Sequence, residues 1–400
     1  MARRLYRHLR GRLLQDLIPA GRPIADAPCA APGIEVVGYP GAVAGIAASA
    51  RLCAAALAGD GYAVSVIDLD RIDPATASPG GAGPPVRIWH LNPPMMPKAV
   101  LRFGPRRFAA GINIGYWAWE LETFPAEWRK AERYMSAFLV PSRFTAEALA
   151  RITAKPVGVV PHPVPSPAAA DPSALRREAG IATDAFLVAT VFNFTSSFER
   201  KNPLAAIEAF RRAFGEEECS DTGRPARLVV KTANAARYPD QERRLRAAAE
   251  GDSRIAVIDA EWPEGRVQAL IAASDAYLSL HRSEGYGLTL AEAIVAGVPV
   301  VATGWSGNTD FCDPESSFLV PWRLVPVADP HPAYAGLDGA RWAEAEAEAA
   351  ASALRRLRDD PETARWMARA AQDRLNAHVA ANDYAGALRT LGIARPTEGP

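Results

Sequence analysis

The sequence predicts an α/β protein of two doubly wound domains, each folded around a parallel sheet. Short β-branched apolar runs alternate with stretches of helical apolar spacing along most of the chain, and glycine loops join several runs to the helices that follow. A length of 400 residues exceeds what one core usually organises, so two domains of about 170 to 200 residues are expected. We place a basic amphipathic segment at 1–32, a first domain at 33–168, a second at 175–365 and a C-terminal helix at 366–392.

The chain opens with MARRLYRHLRGRLLQDLI, in which Leu5, Leu9, Leu13 and Leu17 share a helical stripe among Arg3, Arg4, Arg7, Arg10 and Arg12. Such a helix suits peripheral contact with the inner membrane through residues 1–18, and equally suits docking on its own domain. Residues 33–40 are expected as the first strand, the Ala-rich stretch up to Gly61 as a helix, and 62–70 as the second strand. Gly38, Gly41 and Gly45 do not form G-x-G-x-x-G, which disfavours a dehydrogenase. Asp68-Leu69-Asp70 ends a strand in the first βαβ unit and is not read as a metal-binding D-x-D. Residues 75–85 are a Pro/Gly loop, 86–97 supply a strand ending in His90 and Asn92, and 137–149 and 155–164 hold the last strands of the first domain. After a Pro/Ala linker at 164–172, residues 186–194, 227–235 and 254–263 read as strands, 196–214 as a loop and amphipathic helix, and 340–379 as helical throughout with a break at Pro361.

Composition narrows the partners. Acidic and basic side chains number 45 each, which gives no bulk field for nucleic acid. Cys29, Cys53, Cys219 and Cys312 are scattered, with no C-x-x-C and no histidine cluster, so neither a disulfide framework nor a zinc site is expected and a reducing cytoplasm fits. No run has the length and apolarity of a transmembrane helix, and no long apolar core follows the N-terminal arginines as in a signal peptide.

The chemistry concentrates in SLHRSEGYGLTLAEAIVAGVPVVATGWSGNTDF, residues 279–311, which reads as strand, glycine loop, helix, turn and strand. Gly285 and Gly287 let a ligand approach the backbone, and the amides of Leu288 and Thr289 begin a helix whose N-terminus favours a phosphate. Glu284 and Glu292 stand roughly 12 Å apart along a helical rise. That is too far for a glycosidase pair, whose carboxyls sit about 5 to 9.5 Å apart, and matches the span of a sugar diphosphate. Arg200 and Lys201 precede another helix start, where their charges can neutralise a departing diphosphate.

The string E-G-Y-G-L-T-L-A-E-A followed by G-V-P-V-V-A-T resembles the donor-site signature of the retaining family-four glycosyltransferases. SLHRSEGYGL, SGNTDF, and Tyr334 with RWAEAEAEAA are similar to a bacterial polysaccharide subgroup that includes mannosyltransferases. The resemblance implies the GT-B fold, two Rossmann-like domains with parallel sheets facing a central cleft, with the terminal helix crossing back to the first domain. It implies retaining transfer of a hexose from a nucleotide diphosphate sugar, with GDP-mannose as the leading donor and UDP-glucose and dTDP-rhamnose open, to a glycan or lipid-linked saccharide in polysaccharide biosynthesis, in the cytoplasm or at the cytoplasmic face of the membrane, with no metal or other cofactor.

On this reading Glu284 orients the sugar, Lys201 and Arg200 stabilise the leaving phosphate, and Glu292 holds the ribose, while Gly285, Tyr286, Gly287, Leu288, Thr289, Arg282 and Asn308 complete the donor site. The chain departs from the family where an arginine commonly precedes the lysine by five or six residues. Ser196 and Thr195 stand there, and Arg200 or Arg282 supplies the second cation. On the acceptor side the candidates are the loop at Gly41 and Gly45, His90, Asn92, Trp117, Trp119 and Glu120. The two indoles suit stacking on sugar rings or packing in a core, and His90 and Glu120 are alternatives for a positioning group. Two other readings are a non-catalytic nucleotide-sugar binding protein and another GT-B activity such as a sugar epimerase.

Overall fold

The computed structural model of the chain describes residues 18–24, 29–30, 33–42, 45–72, 84–166, 172–178, 180–215 and 224–394. The basic stripe at 1–17, most of the loop at 75–85, part of the linker at 164–172, and Cys219 lie outside the described residues. The chain divides into two compact units, Met1–Pro163 with Val379–Pro400, and Val164–His378.

The strands of the first unit are β1 (Cys29–Ala30), β2 (Ile34–Gly38), β3 (Val64–Asp68), β4 (Val86–Trp89), β5 (Ile112–Tyr116), β6 (Ala137–Val140) and β7 (Val157–Val159). Those of the second are β8 (Phe186–Val191), β9 (Ala226–Thr232), β10 (Ile255–Asp259), β11 (Ala276–Ser279), β12 (Val300–Thr303), β13 (Phe318–Val320), β14 (Trp322–Pro326) and β15 (Arg341–Ala345). A last short strand, β16 (Ile393–Ala394), pairs in parallel with β1.

Two six-stranded sheets result, ordered β3-β2-β4-β5-β6-β7 and β10-β9-β8-β11-β12-β13, and every pairing in both is parallel. Parallel sheets covered on both faces need apolar side chains on both faces, which is why β2, β4, β5 and β6 are buried at every position. Val36, Ile88, Ile114 and Leu139 form the centre of the first core, and Val188, Leu228, Leu278 and Val301 that of the second, each side chain contributing about 1.5 to 3 kcal/mol by its burial.

Strand order decides where ligands fit. In the second unit the chain lays β9 and β10 on one side of β8 and then crosses to place β11 on the other, with Ala276 beside Val188 and Tyr277 beside Ala189. The crevice outside the carboxyl ends of β8 and β11 is thus the switch point at which open α/β sheets bind ligands. The corresponding point of the first unit lies between β2 and β4.

One expected helix is a strand at its start. Arg341–Ala345 pairs antiparallel with Trp322–Pro326, and the helix runs only from Ala347 to Asp359 before the break at Pro361. Ala and Glu favour a helix locally, but burial of Trp342, Ala343 and Ala345 along a paired ribbon overrides that preference. Several strands also stop sooner than expected: β4 ends at Trp89, leaving His90 and Asn92 just beyond it, and β8 ends at Val191.

The first unit holds two neutral imidazoles. His90 Nδ1 is 2.8 Å from Ser49 Oγ and its ring stacks on Tyr116 at 4.5 Å, while Tyr116 Oη donates to Val160 O at 2.8 Å and lies 3.3 Å from His162 Nδ1. Burial lowers the pKa of His90 to about 3, with His162 adding to the effect, and burial lowers His162 to about 4. Unfolded histidines titrate near 6.5, so below that pH the unfolded chain binds protons that the folded chain refuses. Stability from these groups is complete above about pH 6.5 and is lost as the pH falls toward 4 and 3, by up to ~1.4 kcal/mol per pH unit for each histidine. Hydrogen exchange of β4 and β5 is therefore expected to show a less stable first unit at pH 5 than at pH 7.5, with a shallower dependence in His90→Gln. Equal protection at the two pH values would refute this.

Candidate active site

The site is built where β8 and β11 end. After β8, Asn193 caps a short turn, and a single helical turn, Phe198–Lys201, presents Arg200 and Lys201. After β11 the chain runs through His281 to Glu284, then Gly285, Tyr286 and Gly287, and enters the Leu288–Val295 helix. Lys201 Nζ is paired with Glu284 Oε1, and Arg200 Nη1 lies 3.0 Å from Glu284 Oε2.

Glu284 is 8% exposed. Burial alone would raise its pKa, but Lys201 and Arg200 outweigh the desolvation and hold the carboxyl at about 2. The two cations differ in access. Arg200 is buried, with Nη1 donating to Ser283 O at 2.8 Å and Nη2 to Ser196 O at 2.8 Å, whereas the Lys201 side chain keeps 17% of its surface. Arg200 is the second cation on the carboxylate. Arg282 is not, because its guanidinium is engaged by Glu344 Oε2 at 2.7 Å and Glu199 O at 2.6 Å.

The helix that follows begins at Gly287, whose φ of +99° suits glycine. Its first amides, those of Leu288 and Thr289, have no acceptor within the helix itself, as at any helix start. Leu288 and Thr289 are half-buried, and the buried Tyr277 hydroxyl reaches Val191 O at 3.4 Å. Glu292 lies one turn further along; burial, then the charge of Glu264, raises its carboxyl to about 7.

Two expected donor contacts face inward instead. Asn308 is fully buried, its Nδ2 donating to Thr303 O at 3.0 Å and its Oδ1 3.0 Å from His281 Nε2. It ties His281 and the end of β12 together, so its amide serves the loop scaffold. Tyr286 is likewise buried, its ring 4.8 Å from that of Phe311.

Ser306 and Gly307 escaped the sequence reading, although both stand in the quoted SGN triplet. Ser306 Oγ accepts the Glu284 amide at 2.8 Å and Gly307 N–H donates to Glu284 O at 3.0 Å, so this loop fixes the glutamate from behind. Ser306 does so at φ 76°, ψ −152°, a conformation nearly restricted to glycine, and such strain collects at functional loops. The signal available in the sequence was only a glycine after a serine.

In the first unit the candidates separate. Trp117 and Trp119 are core residues, which corrects their expected role as sugar platforms. Trp117 packs on Phe138 at 4.6 Å, and Trp119 on Trp128 at 4.6 Å with its Nε1 donating to Thr123 O at 3.0 Å. Their faces are covered because the loop after β5 folds onto Phe124 and Trp128. Asn92 Oδ1 accepts the Ala118 amide at 3.1 Å, Glu120 is half-buried, and Gly45 starts the Gly45–Gly59 helix with open space where a Cβ would lie. His90 Nε2 is buried without a hydrogen-bond partner among the described residues. Asp68 and Asp70 sit in a turn with Arg71 and Arg102 nearby, and Cys53 and Cys312 are buried free thiols.

Two doubly wound parallel sheets, with a glycine-led helix start at the switch point of the second, fit the GT-B fold. Residues 140–388 match the family described as Family 4 Glycosyltransferase in conflict systems, and the chain belongs to that family. No curated protein matches it. Its fold is similar to that of HepE from Anabaena, solved with UDP and glucose, at 14% identity over 90% of this chain and 98% of that one, with a TM-score of 0.61. It is also similar to sucrose-phosphate synthase from Thermosynechococcus elongatus (16%, 90% and 97%, TM-score 0.62) and to WaaG, a glycosyltransferase involved in lipopolysaccharide biosynthesis (16%, 92% and 100%, TM-score 0.55). No helix among the described residues is long and apolar enough to cross a membrane.

A Cβ added at Gly307 would lie 2.3 Å from Gly285 O and 2.5 Å from Gly285 C, both backbone atoms that cannot step aside cheaply. Gly307→Ala should lower stability by about 1 to 3 kcal/mol through overpacking and displace the Glu284 loop. Thermal unfolding reads this directly, and an unchanged midpoint would mean that the two loops do not pack as closely as described.

Proposed function

We propose that the chain is a retaining, metal-independent hexosyltransferase that moves a hexose from a nucleotide diphosphate sugar to a glycan or lipid-linked saccharide in polysaccharide biosynthesis, working in the cytoplasm or at the cytoplasmic face of the membrane. The observation that carries the reading is the pairing of Lys201 and Arg200 with Glu284 at the β8/β11 switch point, next to the start of the Leu288–Val295 helix. One carboxylate between two cations leaves one positive charge over, which suits a phosphate better than a neutral ligand.

The donor diphosphate takes the Leu288 and Thr289 amides and Lys201, and Glu292 holds the ribose hydroxyls. Glu284 orients the hexose, kept ionised by Lys201 and, from the buried side, by Arg200. As the bond between C1 and the phosphate oxygen breaks, its electrons pass to that oxygen, and Lys201 with the helix amides stabilises the growing charge. The acceptor hydroxyl attacks C1 on the same face and passes its proton to the leaving phosphate. His90, Asn92 and Glu120 are the acceptor-side candidates of the first unit. GDP-mannose is the proposed donor, and the UDP complexes of HepE support testing UDP-glucose beside it.

Thermal stabilisation by GDP, UDP and dTDP and their hexose derivatives, followed by hydrolysis of the stabilising donor, tests this. One nucleotide should raise the melting temperature, Lys201→Ala should lower kcat by about 10² to 10³, as loss of one transition-state donor does, and Glu284→Gln should bind the nucleotide while losing turnover. Absence of any shift at millimolar nucleotide would sink the donor site. Binding without turnover on any donor would favour the non-catalytic binding protein.

A further inference from the structure

The Phe198–Lys201 turn cannot hold its own shape. It is a single turn closed by Lys201 N–H to Ser197 O at 3.2 Å and Asn202 N–H to Phe198 O at 2.9 Å, and one isolated turn is unstable in water. Both flanking residues have positive φ without being glycine, Ser197 at 72° and Asn202 at 50°. Something outside the turn keeps it in place.

The side chains of the two flanking residues take their outside partners from one element, the β14–β15 hairpin with its connecting loop. At the front, Ser197 Oγ accepts the Arg200 amide at 3.0 Å and donates to Asp329, whose other carboxylate oxygen is fixed by the His331 amide at 2.7 Å. At the back, Asn202 Nδ2 donates to Glu344 Oε1 at 3.0 Å. The second Glu344 oxygen takes Arg282 Nε at 2.7 Å, and Arg282 in turn donates from Nη1 to Glu199 O at 2.6 Å and from its backbone to Arg200 O at 2.7 Å. The Ala343 amide of β15 closes the circuit on Arg282 O at 2.9 Å. Apolar packing adds to this at the front, where the buried Phe198 ring stacks on Phe194 at 5.7 Å beside a cavity of ≈ 210 Å³ that Asp329 and His331 also line.

We infer that Asp329 and Glu344 are positioning residues for Lys201 and Arg200, the hairpin acting as a brace that clamps both ends of the turn carrying the two cations. Neither carboxylate touches Glu284; each acts through a cap of the turn. The inference rests on the reading of Lys201 as the leaving-group cation, and the brace itself can be measured apart from that reading.

The test compares Glu344→Ala, Glu344→Gln, Asp329→Ala and Lys201→Ala with the unaltered protein, by hydrogen exchange over residues 197–203 and by hydrolysis of GDP-mannose and UDP-glucose. Exchange over 197–203 should quicken by about tenfold in Glu344→Ala and Asp329→Ala while β9 keeps its protection, because only a local opening is released. Donor hydrolysis should lose about tenfold or more in kcat, with KM little changed, since a misplaced catalytic group costs rate. Glu344→Gln, whose amide oxygen still accepts from Asn202, should recover part of the loss. Asn202→Gly, which adopts the same backbone without a side-chain partner, should reduce the further effect of Glu344→Ala. Unchanged exchange over 197–203 overturns the brace whatever the activity. If Lys201→Ala lowers turnover and the two hairpin variants do not, the brace falls and the transferase reading stands. If Lys201→Ala leaves turnover intact, the role of Lys201 falls with the catalytic part of the inference, and the exchange data alone judge the clamp.

Discussion

Parallel pairing of β8 with β11 is the constraint on which the chemistry of the second unit depends. It is clamped at the amino ends of the strands by Asp275, whose backbone amide donates to Leu187 O at 2.8 Å and whose carboxylate accepts the Leu187 amide at 2.8 Å. Arg176 and Arg224 bind the same carboxylate at 2.6 and 2.9 Å. A slip of one residue would turn every side chain of β11 to the opposite face, so the clamp fixes which loops meet at the carboxyl ends. What meets there is the turn after β8 and the glycine loop after β11.

A buried carboxylate is costly unless it is paired, and Arg200 and Lys201 pair with that of Glu284, whose backbone is fixed by a further loop, so three segments build the site. Arg200 and Lys201 come from the turn after β8, Ser306 and Gly307 from the loop after β12, and Glu284 itself from the loop after β11. Three of the four non-glycine residues with positive φ among the described residues, Ser197, Asn202 and Ser306, lie in these loops. Their strain is tolerated because each is held by a side-chain hydrogen bond to a neighbour, and the result is a fixed arrangement of charge around Glu284. The first unit handles burial differently, keeping His90 and His162 neutral and packed around Tyr116.

Local signals were legible in the sequence and long-range ones were not. The strands from Ile34–Gly38 to Val300–Thr303 announced themselves as short apolar runs, and Glu284, Gly287 and Lys201 stood in a pattern whose chemistry could be read residue by residue. Trp117 and Trp119 could not be assigned, because an indole presents the same letters whether its face is open or covered, and Phe124 and Trp128 cover both. Arg200 and Arg282 were equivalent as letters, and they separate because Arg200 reaches Glu284 while Arg282 is taken by Glu199 and Glu344. Arg341–Ala345 read as helix since its Ala and Glu content dominates any local window, while its strand conformation comes from Trp322–Pro326 across the ribbon.

Glu284, Lys201 and Arg200 stood as candidates through a resemblance, whereas the α/β class, the two-domain division and the helix start at Leu288 were determined by the sequence itself. These depend on periodicity, turn chemistry and residue type over a few neighbours, which a linear chain displays directly. The tertiary structure alone decided the strand order that makes β8 and β11 neighbours, the choice of Arg200 over Arg282, the inward turn of Asn308, and the grip of Asp329 and Glu344 on a turn of four residues. Each is a contact between segments far apart in the chain, fixed by which buried groups could find partners when the sheets closed, and no local pattern records that outcome.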